Sequence, residues 1–227
     1  MRVLAVDTAL GQCAVCVLDT DALEPLALET AEIDRGHAEA LLPMMDRVVA
    51  RAEGGFAAVE RVAVTVGPGS FTGLRVGISA ARAVGLALKV PVVGVTTLSA
   101  LMAPHMAPVR YRLIVAAIDA RGGRVYAQAI APNGRAVIAP SIVTLRDVVR
   151  ALGSSGVTIV GSGGPAIAAE AWTVGIDVKV DPAPPLPDIT WVARLAAAAV
   201  PEHALPKPFY LAGPGARPQD AARLPRL

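Results

Sequence analysis

Two stretches of this chain repeat one order of strand, aspartate, turn and strand. AVDTALGQCAVCVL fills residues 5–18 and AAIDARGGRVYAQAI fills residues 116–130, so Asp7 and Asp119 lie 112 residues apart. A second pair follows each of them. TVGPGS and IVGSGG begin glycine turns at Gly67 and Gly161, 94 residues apart. Self-similarity on this scale marks a duplicated unit. It predicts two related α/β lobes with a cleft between them, and a chain of 227 residues has room for two small lobes.

Composition sets the boundaries of function. Apolar residues make up 54% and charged residues 18%, which excludes disorder for most of the chain. Twenty-one basic and nineteen acidic residues leave a charge of +2, no strong case for nucleic acid or an anionic membrane. The charge-free stretch 90–109 is long enough to span a bilayer, but Pro91, Pro104, Pro108, Thr96, Thr97 and His105 make it a buried globular segment. The four apolar residues before Asp7 are too short for a signal-peptide core, so a cytoplasmic location is expected. Cys13 and Cys16 form C-x-x-C within an extended run. Residues three apart on a strand point to opposite faces, so they read as two small core residues, not as a redox pair or half a zinc site.

The pattern predicts strands at 2–7, 12–18, 26–32, 61–66 and 92–95, then 112–119, 124–130, 157–160 and 176–180. Ala38, Leu41, Leu42, Met45, Val48, Val49 and Ala52 make an apolar helical face over 35–52. Pro43 inside it predicts a kink or a start near Leu42. Further helices are expected at 70–88, 98–103, 145–152, 166–171 and 189–200, with a Pro-rich linker at 181–188 and a Pro- and Gly-rich tail from 201.

The turn Gly67–Gly69 leads from a strand into a helix, an arrangement that can bind anions. It lacks the lysine of a P-loop, and Thr72 stands where a dinucleotide fingerprint has its last glycine. Along that helix Gly73, Gly77, Ala81 and Gly85 recur every four residues. Such a stripe lets another backbone approach closely. The approaching element is either the chain's own sheet or a second protein. His37 has Leu41 where a helical metal site needs a second histidine, and no G-x-S-x-G is present. Asp7 and Asp119 stand where a Mg²⁺-dependent phosphotransferase places carboxylates, and equally where turns are capped.

These residues strongly resemble the TsaB (YeaZ) family of bacterial tRNA threonylcarbamoyladenosine biosynthesis proteins. The resemblance is carried by VLAVDTA (3–9), RGHAEALLPMMDRVV (35–49), VTVGPGSFTGLRVGISAARAVGLAL (64–88), VVGVTTLSAL (92–101), AIDARGGRVYAQ (117–128) and FYLAGPGARPQ (209–219). It implies a two-lobed α/β fold of the actin/Hsp70/sugar-kinase (ribonuclease H-like) kind, built from a duplicated βββαβα unit. The implied division is an N-terminal lobe at 1–106 with the docking helices, a C-terminal lobe at 107–188, and a closing helix and tail at 189–227.

The implied function is that of a non-catalytic activator of the paralogue TsaD in forming N6-threonylcarbamoyladenosine at position 37 of tRNAs reading ANN codons. TsaE joins the assembly, tRNA is met through it, and the chain alone pairs with itself. The chain binds no cofactor by itself; ATP or threonylcarbamoyl-AMP and a metal on TsaD serve the complex. The docking surface implied is the helix pair 35–52 and 70–88, through Arg35, His37, Leu41, Met44, Met45, Phe71, Gly73, Leu74, Arg75, Gly77, Ile78, Ala81 and Arg82. On that view Gly77→Leu or Ile78→Asp breaks the association and leaves the fold intact. The alternative is an ATP-dependent phosphotransferase of the same fold.

Overall fold

A computed structural model describes residues 1–106, 112–153 and 156–211. The first lobe is a five-stranded sheet of β1 (Arg2–Asp7), β2 (Gln12–Asp19), β3 (Ala27–Glu32), β4 (Arg61–Gly67) and β5 (Val92–Thr96), in the order β3-β2-β1-β4-β5. β1, β2 and β3 form an antiparallel meander, and β4 and β5 continue parallel to β1. The second sheet holds β6 (Leu113–Asp119), β7 (Arg124–Ile130), β8 (Ala136–Thr144), β9 (Val157–Val160) and β10 (Val178–Val180). Its order, β8-β7-β6-β9-β10, is the same order over again. The repeat in the sequence is therefore a repeat of topology.

β1 is buried on both faces, which is why it reads as an unbroken apolar run. Leu4 and Val6 face α1 (His37–Arg51) and α2 (Phe71–Leu88). Val3 and Ala5 face α6 (Ile189–Ala198). Cys13 lies in the first of these cores and Cys16 in the second, as their spacing predicts. Burial pushes the Cys13 thiol up to about 11 and the Cys16 thiol up to about 12, so both stay protonated at neutral pH. Arg61 ties α6 down by donating to the carbonyls of Ala196, Ala197 and Ala199 at 2.7–3.0 Å. The closing helix is thus the second layer of the N-terminal lobe and not a separate segment.

α3 (Thr97–Met102) joins the lobes, since Leu98, Leu101 and Met102 pack with Ile114, Ile118 and Val160 of the second sheet. α4 (Leu145–Leu152) and α5 (Gly164–Trp172) pack on one another beside that sheet. Two sequence expectations change. Pro43 neither starts nor splits α1, which runs unbroken from His37, because its ring lies on the exposed face while Leu41, Met44, Met45 and Val48 hold the helix to the sheet. β8 is an additional strand. It contains Pro140, and its pairing with β7 shifts register there, which only an edge strand tolerates. The tail beyond 211, and the lobe boundary at 107, lie outside the described residues.

Candidate functional site

The two repeated aspartates end in different surroundings. Asp7 is fully buried. Its Oδ1 accepts from the Ala9 amide at 3.0 Å and from the Thr65 hydroxyl at 2.5 Å, and its Oδ2 accepts from Gln12 Nε2 at 2.7 Å. Gln12 also donates to the Pro187 carbonyl at 2.7 Å, tying the linker to the first lobe. Burial raises the Asp7 carboxyl above its ordinary value, and the donors from Thr65, Ala9 and Gln12 oppose that rise. With both oxygens engaged inside the core, Asp7 is a structural clasp. Asp119 is exposed, caps the Arg121 amide at 2.8 Å, and lines a cleft of about 410 Å³ between the lobes. Ser70, His37, Asp34 and Ser162 line the same cleft.

The glycine turn is explained by packing. The Ser70 amide donates to the Ala9 carbonyl at 2.7 Å, and Ser70 Oγ accepts from the Gly73 amide at 3.3 Å as the cap of α2. Thr8 Oγ1 donates to the Gly73 carbonyl at 2.7 Å. A Cβ on Gly69 would strike the Ala9 carbonyl oxygen, one on Gly73 the Thr8 carbonyl oxygen, and one on Gly77 the Thr8 hydroxyl. The glycines let the start of α2 lie directly on the β1–β2 turn. Further along, a Cβ on Gly85 would strike the Val92 side chain. The stripe of small residues faces the chain's own sheet, and the turn is not an open phosphate cradle.

His37 is buried with Nε2 at 3.2 Å from the Leu10 carbonyl, and among the described residues no three His, Cys, Asp or Glu side chains come together as a metal site.

The helix pair itself presents two faces. Leu41, Met44 and Met45 on α1, and Leu74, Ile78 and Ala81 on α2, are sealed in the first core. With His37, Gly73 and Gly77 they are interior residues, so as a docking surface this part of the sequence-based set is corrected. Their spacing marks an apolar face, and the sheet takes that face first. Arg35, Phe71, Arg75 and Arg82 of the same set are exposed. Two exposed leucines join them: Leu42 at 58% exposure, which the spacing places on the buried apolar face of α1 and which instead points outward, and Leu86 at 82%, which the docking set did not include. Val76, Ala80 and Val84 are half-buried along α2. α2 is long and apolar enough to cross a membrane, but it lies along α1 and β4 with Arg75 and Arg82 outward.

At the first turn of α2 the Arg75 guanidinium lies 3.8 Å over the Phe71 ring. Tyr210 stacks on that ring at 5.5 Å between centroids, with 28° between planes. Tyr210 belongs to a C-terminal strap. The strap is held where the Phe209 amide donates to the Val66 carbonyl at 2.7 Å and the Gly94 amide donates to the Ala204 carbonyl at 2.8 Å.

Comparison with known proteins places this geometry. The family model for TsaD, described as tRNA N6-adenosine threonylcarbamoyltransferase, matches residues 30–184. The tRNA threonylcarbamoyladenosine biosynthesis protein TsaB of Escherichia coli is 34% identical over 126 residues, covering 56% of this chain and 53% of that protein. The chain thus spans about half the length of the curated relatives it matches. A Pseudomonas aeruginosa protein with similarity to the peptidase YEAZ superposes with a TM-score of 0.75 at 25% identity, over 93% of this chain and 99% of that one. YeaZ from Pseudomonas aeruginosa superposes with a TM-score of 0.70 at 26% identity, over 92% and 99%. The two mixed sheets and their repeated order are those of the actin/Hsp70/sugar-kinase fold. With the model matched over most of its length and TsaB and YeaZ proteins among its relatives, the chain belongs to this family, on its TsaB (YeaZ) branch.

Proposed function

We propose that this chain is a non-catalytic subunit of tRNA threonylcarbamoyladenosine biosynthesis that docks on the catalytic paralogue TsaD and activates it. The observation that carries the reading is the outward face of α1 and α2. Leu42 on α1 and Phe71 and Leu86 near the two ends of α2 are more than half exposed there, and Val76, Ala80 and Val84 are half-buried along α2. Apolar area of this kind on a helix pair is suited to a second helix pair. The interlobe cleft supports the reading from the other side. Of the two aspartates that a phosphotransferase could direct at Mg²⁺, Asp7 is clasped by Thr65, Ala9 and Gln12, and the glycine turn is filled by Thr8 and Ala9, which disfavours a phosphotransferase built on Asp7; Asp119 stays open at the cleft.

In this account the ATPase TsaE joins the assembly, tRNA is met through the complex, and the work is done in the cytoplasm. The chain alone uses the same face to pair with itself, and it holds no cofactor of its own.

The test is association. Light scattering after size exclusion is expected to show a complex of this chain with TsaD, lost in the double variant Leu42→Asp/Leu86→Glu while that variant keeps the wild-type melting temperature. Undiminished complex formation by a folded double variant sinks the assignment of this face.

A further inference from the structure

The structure assigns a second interlobe cavity, of about 570 Å³, as a binding site for an aliphatic polyamine cation. It lies between β2 and β3 of the first lobe, the end of α3 with the turn after it, the end of β9, and the linker 181–188. A cavity of this size takes a small organic molecule. Leu101, Val160 and Leu186 give it apolar wall.

Its charge has one sign. Glu32, Asp181 and Asp188 line the cavity, and among the described residues no lysine or arginine does. The one basic side chain of the lining, His105, is already paired, with Nε2 at 2.8 Å from Asp181 Oδ2. Asp188 Oδ1 caps α6 by accepting from the Thr190 amide at 2.8 Å. Neither Asp188 Oδ2 nor the Glu32 carboxylate has a hydrogen bond or an ion pair among the described residues.

Gln12 adds a buried group that lacks a partner. Its side chain lines the cavity at 5% exposure, and its Nε2 donates to Asp7 Oδ2 and to the Pro187 carbonyl, both at 2.7 Å. The Pro187 carbonyl can only accept, so the amide is fixed in this orientation. Its Oε1 is left as an acceptor with no donor among the described residues. A buried acceptor without a donor is costly, and an N–H group entering the cavity removes that cost.

These features select the ligand. An anion would meet carboxylates. A metal ion needs several donors converging on one point, and among the described residues no such group of His, Cys, Asp or Glu exists. An alkylammonium chain needs no such convergence. Its N–H groups reach Gln12 Oε1 and the carboxylates while its methylenes lie along Leu101, Val160 and Leu186. Glu32 stands on β3 and Asp188 at the head of α6, so a chain with more than one ammonium matches them better than a single charge. The polyamine is a ligand and not a reactant.

Spermidine is titrated into the full chain by calorimetry for wild type, Glu32→Gln, Asp188→Asn and Glu202→Gln, and the Gln12 side-chain amide is followed by NMR. Wild type is expected to bind one equivalent and to shift the Gln12 amide resonance. Glu32→Gln and Asp188→Asn are each expected to weaken binding by about threefold or more with unliganded melting temperatures unchanged, since asparagine also caps a helix. Glu202 is exposed and outside the cavity lining, and Glu202→Gln is expected to bind as wild type does. Tetramethylammonium, a cation without N–H groups, is expected not to displace spermidine. Wild type that binds no spermidine overturns the proposal and leaves the docking function standing. Binding that leaves the Gln12 amide unmoved, or that Glu202→Gln weakens as much as Glu32→Gln, also overturns it. Displacement by an equal concentration of Mg²⁺ or tetramethylammonium means that charge alone is recognised, and the amine assignment is wrong.

Discussion

A single added methyl group is the sharpest probe of why this sequence is so rich in glycine. Gly73 and Gly77 lie on Thr8, so a side chain there must displace backbone or a bonded hydroxyl. Alanine favours a helix over glycine by up to about 1 kcal/mol. Overpacking against fixed backbone costs about 1–3 kcal/mol and wins here. Gly73→Ala is therefore expected to destabilise the chain in urea unfolding, and a stabilised variant would contradict the packing account. The four-residue spacing of these glycines was legible in the sequence; which neighbour they admit was not, because that depends on a turn 65 residues away.

Asp7 carries a pH signature. Burial raises its folded value above the ordinary 3.8. A carboxyl shifted this way lends stability that is whole below 3.8 and is lost as pH rises through the folded value. Asp7→Asn has no such proton to lose. The stability of wild type minus that of Asp7→Asn is expected to fall with rising pH across that window and then level off. A difference that grows with pH would mean that the three donors outweigh burial.

At the scale of elements, α1 and α2 each have an inner and an outer face, and substitutions separate them. Ile78 is 4% exposed in the first core, so Ile78→Asp buries an unpaired carboxylate and is expected to cost about 3 kcal/mol or more. Leu86→Glu, on the 82% exposed side of the same helix, is expected to change stability by no more than about 0.5 kcal/mol. Chemical denaturation of the two proteins checks this directly. Equal losses would mean that the outer face is also structural.

The burial of Ile78 and the contact of Gly77 with Thr8 replace the expectation that Ile78→Asp or Gly77→Leu spares the fold with the expectation that both destabilise it. A stripe at helical spacing says that a face is covered, and a sheet of the same chain is the nearest cover. β8 escaped notice because Pro140 and the shifted register break the alternation that marks a strand. Pro43 misled in the opposite direction. Its exposed position lets the buried side chains of α1 keep the helix continuous.

Over the whole molecule, the duplication was the most legible property. Two motif pairs at similar separation anticipated two related α/β lobes, and the lobes hold two sheets of identical strand order, because a repeated unit buries its strands in a repeated way. What the repeat could not convey is how its copies diverged. Asp7 became a buried clasp and Asp119 stayed at the cleft, since the clasp draws Thr65 and Gln12 from separate strands. Nor could local pattern assign α6 to the first lobe, where Arg61 captures its end from 135 to 138 residues away.

The central claim is that this chain contributes a docking face to a catalytic sister and performs no chemistry alone. Nucleoside analysis of tRNA from a reconstituted reaction tests it most directly. TsaD and TsaE with ATP, threonylcarbamoyl-AMP and unmodified tRNA are expected to yield threonylcarbamoyladenosine, with AMP released, only when this chain is added, and this chain without TsaD is expected to yield none. Modified adenosine formed by this chain alone, or formed equally well in its absence, would contradict the account.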